Sequence, residues 1–388
     1  MSLTGRLPRT VVVLGLVSFF TDFSSEMIFP LLPTFLATLG AGGAFLGLIE
    51  GVAETTSAFL KLASGVWADR SAKKKPLVVA GYALASVARP LIALAQAPLQ
   101  VLAIRFTDRL GKGIRTSPRD ALIAQATPED RRGAAYGFHR AMDHAGALVG
   151  PLVAFVLLRG AGVPIRVLFA LTAIPAAAAM FALVVFVKEP ADAAATPASA
   201  RLDLRFRRLP PRLYLYLALV GIFTLANASD AFLLLRATRG GIPTIDLPLL
   251  WALLHLVKST LSTPLGALSD RLGRRRVIAA GWLVYAAVYA GFALANAWWQ
   301  IALLFVVYGV HFALVEGAEK ALVADLAPAD ARGSAFGAFH FVVGLAALPA
   351  SLGFGLIWDR ISPAAAFAIA GGLALLAAAG LLALVRER

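Results

Sequence analysis

The chain contains no cysteine. Disulfides, iron–sulfur clusters, thiolate metal sites and cysteine nucleophiles are therefore excluded, and the absence fits any redox compartment. Charge is scarce as well. Only 15% of the residues are Asp, Glu, Lys or Arg, where a soluble domain carries about 25%. Several catalytic frames are missing. No Gly-x-Ser-x-Gly turn, His-Glu-x-x-His pair or Gly-x-x-x-x-Gly-Lys-Ser/Thr loop occurs, which removes serine-hydrolase, zinc-protease and ATP-driven readings. Long polar stretches are nearly absent too; the one exception lies at 189–211.

What remains is apolar. The 388 residues are 59% hydrophobic with a mean hydropathy of +0.78. This is the composition of an all-α integral membrane protein, in which each span needs about 20 apolar residues. Twelve spans are expected, at roughly 10–38, 44–67, 76–95, 98–126, 133–158, 164–187, 212–236, 247–270, 276–295, 298–326, 332–356 and 363–385. Val11–Phe20 follows Arg6 and Arg9, but Asp22, Glu26 and a resumed apolar pattern make it a first span rather than a cleaved signal.

The net charge of +14 would suggest nucleic acid in a soluble chain. Here topology accounts for it. Basic residues cluster after span 2 (Arg70, Lys73, Lys74, Lys75), span 4 (Arg131, Arg132) and span 8 (Arg271, Arg274, Arg275, Arg276), while the loops after spans 1, 3 and 9 carry no charge. By the positive-inside rule the even-numbered loops and both termini are cytoplasmic. No nucleic-acid partner is expected; the lipid bilayer is.

The chain repeats itself. Residues 121–137 align with 321–337 at a constant offset of 200, with nine of seventeen positions identical. Gly65-Val-Trp-Ala-Asp69-Arg70 matches Gly266-Ala-Leu-Ser-Asp270-Arg271. Two homologous six-helix halves, 1–188 and 212–388, joined by a cytoplasmic linker at 189–211, are the expected organisation. Such repeats build secondary transporters with a site between the halves.

One segment resists a purely apolar reading. Arg105, Arg109, Lys112, Arg115 and Arg119 fall on a single helical face of span 4. Each cation near the bilayer centre costs about 2.5–3.5 kcal/mol even on mild scales. They must face a polar interior and meet negative charge. Asp22 and Glu26, four apart near the middle of span 1, match Arg109 and Lys112 in depth. Glu50 and Glu54 lie on span 2, with Lys61 seven residues beyond Glu54. The alternative is an ion-pair network that only fixes packing. For Arg115 and Arg119, nearer the cytoplasmic end and Pro118, a gate or a snorkelling end is the competing role.

The sequence resembles the major facilitator superfamily over essentially its whole length. The resemblance rests on Gly65-x-x-x-Asp69-Arg70-x-x-Lys73-Lys74 and its second copy, Gly266-x-x-x-Asp270-Arg271-x-Gly273-Arg274-Arg275. Ala72 stands where the family usually has Gly. The resemblance implies a twelve-helix fold in two halves, with these loops latching the cytoplasmic side. Arg105 stands where the family often has an Arg in span 4, which implies a part in proton or substrate coupling. Asp108, Arg109 and Lys112 depart from that pattern. Gly146-x-x-x-Gly150-Pro151 looks like the exporter-associated signature of span 5 without its trailing Gly pair; a small-residue packing seam is the alternative.

These observations predict a proton-coupled secondary transporter of the drug or siderophore exporter type, carrying a small organic solute that is acidic or amphipathic. The proton would bind Asp22 or Glu26. The solute would meet Arg105, Arg109, Lys112, Glu54, Asp143 and His144, with His255, Lys258 and His311 from the second half. His139, Asp143 and His144 with Asp22 or Glu26 also raise a divalent metal ion or chelate as cargo, which Arg140 would repel; import of an organic anion is a further alternative. No resident metal or cofactor is expected. The expected setting is a monomer in a bacterial inner membrane.

Overall fold

A computed structural model of the chain describes residues 7–71, 73–128, 132–188, 209–328 and 332–385. Among these residues the structure is helical throughout, with no strand. The principal helices are α1 (Arg9–Ile28), α2 (Gly43–Arg70), α3 (Lys75–Ala88), α4 (Pro98–Ala126), α5 (Arg132–Phe155), α6 (Ala173–Phe186), α7 (Pro211–Ala226), α8 (Leu247–Leu272), α9 (Arg274–Leu294), α10 (Trp298–Leu326), α11 (Arg332–Arg360) and α12 (Pro363–Leu384). Short helices Leu32–Thr38, Ile165–Leu171 and Ala231–Arg239 extend three of these spans. The linker expected at 189–211 falls, for 189–208, outside the described residues.

Ten described helical segments are long and apolar enough to cross a membrane. The other two long helices, α2 with 28 residues and α4 with 29, each reach about 42 Å at 1.5 Å per residue. They fall short of the apolar measure because charged residues interrupt them.

The internal repeat reappears as local geometry. α4 and α10 both begin with a glutamine that folds back on the chain. Gln100 Oε1 accepts from the amides of Gln96 (2.6 Å) and Ala97 (3.2 Å), and Gln300 Oε1 from those of Asn296 (2.8 Å) and Ala297 (3.0 Å). Both pairs satisfy N-terminal donors that a helix cannot bond internally. Lys75 Nζ donates to the carbonyls of Val184 (3.0 Å) and Val187 (2.7 Å) at the end of α6. Arg275 Nη1 does the same for Val385 (2.7 Å) at the end of α12. Gly40 and Gly241 occupy the same turn in each half with φ of 88° and 91°, a conformation that a side chain would strain.

The chain divides into two compact units, one of Met1–Phe29 with Phe59–Leu202, the other of Pro30–Ala58 with Asp203–Arg388. In unit 1, α1 lies along α5 and α6, and α3 along α4. In unit 2, α9 packs on α10 and α12, and α8 on α10. The Pro30–Ala58 stretch belongs to unit 2 because α2 presents Gly43, Gly47 and Gly51 at four-residue spacing to α11. A Cβ on Gly47 would lie 2.1 Å from the Ser351 carbonyl oxygen, and one on Gly355 2.2 Å from that of Gly43. Only hydrogen fits there. The Asp359 carboxylate closes this seam by accepting from the Gly43 (2.8 Å) and Ala44 (2.7 Å) amides at the start of α2.

Candidate functional site

In unit 1 the closeness of α3 and α4 sets the site. A Cβ on Gly111 would lie 2.5 Å from the Gly81 carbonyl oxygen, so the two backbones touch. Arg89 is thereby brought against Asp108, with Nε 2.7 Å from Oδ1. Its Nη1 donates to the Thr21 carbonyl of α1 at 2.8 Å. Arg105 Nη1 lies 3.8 Å and Arg109 Nε 4.0 Å from the other Asp108 oxygen. Asp108 is only 3% exposed and Arg89 5%. The Arg105 guanidinium also lies over the Phe29 ring at 5.8 Å, and that of Arg115 over Tyr82 at 4.3 Å. Three guanidiniums converging on one carboxylate make this a cationic environment.

Beside it stands an acidic group. Asp22 on α1 is within electrostatic reach of Asp143, Lys112, Glu26 and Arg115. Asp143 on α5 accepts from Ser18. His139 Nδ1 and Arg140 Nη1 lie 3.6 Å and 3.7 Å from its other oxygen. Glu26 accepts from Ser25 at 3.4 Å. Asp22 lies within electrostatic reach of Lys112 and Arg115 on α4, while Arg109 lies 4.0 Å from Asp108 on its own helix. His144 is half-buried on the same stretch of α5. Among the described residues, His, Asp and Glu do not gather in threes as metal ligands would.

Gly146 and Gly150 form a seam. A Cβ at either would lie 2.3 Å and 2.6 Å from the Phe19 and Phe23 carbonyl oxygens of α1. Pro151 follows within α5. The packing role weighed for this motif is thus realised between α1 and α5.

Unit 2 holds a different chemistry. Lys258 Nζ on α8 lies 3.6 Å from Glu316 Oε2 on α10 and 4.2 Å from the Phe312 ring centroid. His255 packs edge-on to Trp251. His311 is 2% exposed, and its Nδ1 is 2.8 Å from the Gly281 carbonyl of α9. It thereby ties α9 and α10 together. Glu54 is exposed, whereas Glu50, one turn earlier, is buried. The aromatic residues of this unit stack extensively, Phe223 on Trp282 at 4.6 Å and Tyr285 on Tyr289 at 4.0 Å.

Of the loop motifs, Gly65 of α2 packs on Ser117 of α4, with atoms 3.7 Å from a Cβ position. Lys73 and Arg271 are exposed. Gly266 has open space around a Cβ position. Arg274 Nε pairs with Asp325 at 2.9 Å, and its Nη1 donates to Ser269 at 3.0 Å. The side chains of Asp69, Arg70 and Asp270 lie outside the described residues.

Arg89 and Asp108 are not among the site residues expected from the sequence. The signal was available. Span 3 and span 4 form a hairpin that turns at 95–97, and depth matching across it brings Arg89 toward Asp108.

The comparisons with known proteins agree with this architecture. The model of the Major Facilitator Superfamily matches residues 14–257 and 241–388. An uncharacterized MFS-type transporter of Methanocaldococcus jannaschii is 36% identical over 379 residues, which is 96% of this chain and 94% of that protein. The multidrug resistance protein MdtG of Serratia proteamaculans is 30% identical over 312 residues, covering 76% of this chain and 74% of MdtG. Among solved structures, a point variant of the nucleoside transporter NupG superposes with a TM-score of 0.83 at 13% identity, covering 97% of this chain and 100% of that one.

Proposed function

Because the chain belongs to the major facilitator superfamily, and so is a multi-pass membrane transporter of small molecules rather than an enzyme, we propose that it is a proton-coupled exporter of an organic solute that is acidic or amphipathic. The observation that carries the reading is the unit 1 network. In it Asp22 is within electrostatic reach of Lys112 and Arg115, and three arginines gather on Asp108. The protonation state of Asp22 or Glu26 and solute binding at Arg105, Arg109 and Lys112 are linked through the cation they share, Lys112. That linkage, carried through alternating-access states, lets solute movement draw on the proton gradient. Likeness to the MdtG relative supports the outward direction. The bacterial inner membrane, with termini and basic loops on the cytoplasmic side, is the proposed setting.

The test is transport by the purified protein in proteoliposomes under an imposed pH gradient, with acidic, neutral and cationic solutes and divalent metals compared. Acidic amphipaths are expected to move, and Asp22→Asn with Glu26→Gln to uncouple their movement from the gradient. Undiminished coupling in that double variant sinks the proton assignment. Undiminished binding in Arg109→Gln with Lys112→Gln sinks the anion assignment.

A further inference from the structure

Arg115 is not a snorkelling end. It is 4% exposed. Eleven residues, about 17 Å at 1.5 Å per residue, separate it from the end of α4 at Ala126. Its base is pinned in the seam between α3 and α4, where a Cβ on Gly81 would lie 2.7 Å from the Arg115 Cβ and 2.8 Å from its amide nitrogen. The guanidinium covers the Tyr82 ring, 4.3 Å from the centroid. Stacking on a ring answers one face of the plane but none of the N–H donors in it. Arg115 Nε and Nη1 are buried and have no acceptor. Tyr82 is 0% exposed, and its hydroxyl is unbonded as well.

The acids around Arg115 are engaged elsewhere or stand off. Asp108, two turns back on α4, holds Arg89, Arg105 and Arg109. Asp120 holds Arg119, with Oδ1 3.0 Å from Nε and 2.8 Å from Nη2. Asp143 on α5 has Ser18, His139 and Arg140. Asp22 on α1 acts on Arg115 only through space, as does Arg89 on α3, which adds to the positive field. From α2, Ser64 donates to the Gly113 carbonyl at 2.8 Å. Among the described residues no carboxylate forms an ion pair with Arg115. A buried cation without an anion is costly. The seam itself does not need the charge: in unit 2, Gly281 packs on Val315 in the matching place, with Trp282 following it as Tyr82 follows Gly81. Lys112, one turn away, and Asp22 are part-exposed. Charged side chains do not face lipid, so water reaches within a turn of the guanidinium.

We propose that Arg115 and the Tyr82 hydroxyl are a further contact for the carboxylate of the transported solute, donating to its oxygens from the guanidinium plane and the phenol. A planar guanidinium matches a carboxylate better than a point charge does. The inference rests on the acidic-solute reading above. The experiment is thermal unfolding of the full-length protein in detergent, titrated with benzoate, with its neutral isostere benzamide and with sulfate. A ligand that binds the folded protein raises the midpoint as its concentration rises. Benzoate is expected to raise it and benzamide to leave it. Arg115→Gln is expected to shift the benzoate response to about tenfold higher concentration or beyond, Arg115→Lys to keep part of the response, and Tyr82→Phe to weaken it less. Without ligand, Arg115→Met is expected to melt at or above the wild type, because it removes an unanswered buried charge and keeps the stem. A lower midpoint there makes Arg115 a structural cation and overturns the proposal. So does an undiminished benzoate response in Arg115→Gln; if Arg109→Gln with Lys112→Gln removes the response instead, the acidic-solute reading stands without Arg115. Stabilisation of the wild type by sulfate and not by benzoate makes the occupant a phosphate-like group such as a lipid headgroup, and the carboxylate assignment falls. A wild type indifferent to both anions overturns both readings.

Discussion

Replacing Asp108 by Asn removes the carboxylate on which Arg89, Arg105 and Arg109 converge at 2.7, 3.8 and 4.0 Å. The site is 3% exposed, so water does not take the carboxylate's place. Deleting one partner of a buried ion pair typically costs about 3–5 kcal/mol, because the remaining charge stays buried. Three guanidiniums then also repel one another, which puts the expected loss toward the upper end. At roughly 2–3 °C per kcal/mol for a chain of this order of size, the midpoint of thermal aggregation in detergent should fall by about 6–15 °C. The double variant Arg89→Met with Asp108→Met removes both closest charges and keeps the volume; buried pairs replaced by apolar residues are often neutral. It should recover at least half of the loss. Size-exclusion chromatography after graded heating measures all three proteins. If Asp108→Asn melts with the wild type, or if the double variant is no more stable than Asp108→Asn, Asp108 is not the hub of this cluster.

Four further outcomes follow from the same geometry. Gly150→Val places a branched side chain against the Phe23 carbonyl, where even a Cβ would lie at 2.6 Å; overpacking of this kind costs about 1–3 kcal/mol, read as a lower melting midpoint with Asp22-dependent activity lost in parallel. Asp359→Ala deletes two bonds to the α2 amides, each worth about 1.5–3 kcal/mol when the acceptor is charged. The chain has no native cysteine, so a single Ser351→Cys reporter should be labelled several-fold faster in that background, and equal rates refute the seam. Lys75→Ala and Arg275→Ala should each cost about 1 kcal/mol by uncapping the ends of α6 and α12, measured as matched small drops in melting midpoint. Phe312→Ala removes the ring beneath Lys258 at 4.2 Å and should weaken binding of amphipathic acids more than of small acids, in a scintillation-proximity assay.

Hydropathy made the spans legible nearly to the residue, because lipid demands about 20 apolar residues in a row and the loops between them are short. It could not say that Pro30–Ala58 clusters with the second half of the chain. That depends on which neighbour the small-residue face of α2 meets, and Gly43, Gly47 and Gly51 announce close approach without naming the partner. The cation stripe was legible because periodicity and the cost of buried charge act together. Its hub was not, since nothing in the sequence says that Asp108 is the point on which Arg89, Arg105 and Arg109 converge.

The seam at Gly146 and Gly150 has a mechanical meaning. With main chain resting on main chain and Ser18 bonded to Asp143 across it, α1 and α5 behave as a single lever rather than as two rods. The interval between Asp22 and Asp143 is then a constant of the machine, and neither acid can be switched by drifting from the other. On the proposed proton-coupled reading, a change in the surroundings of Asp22 has to come from outside this seam, and Lys112 and Arg115 on α4 are within its electrostatic reach.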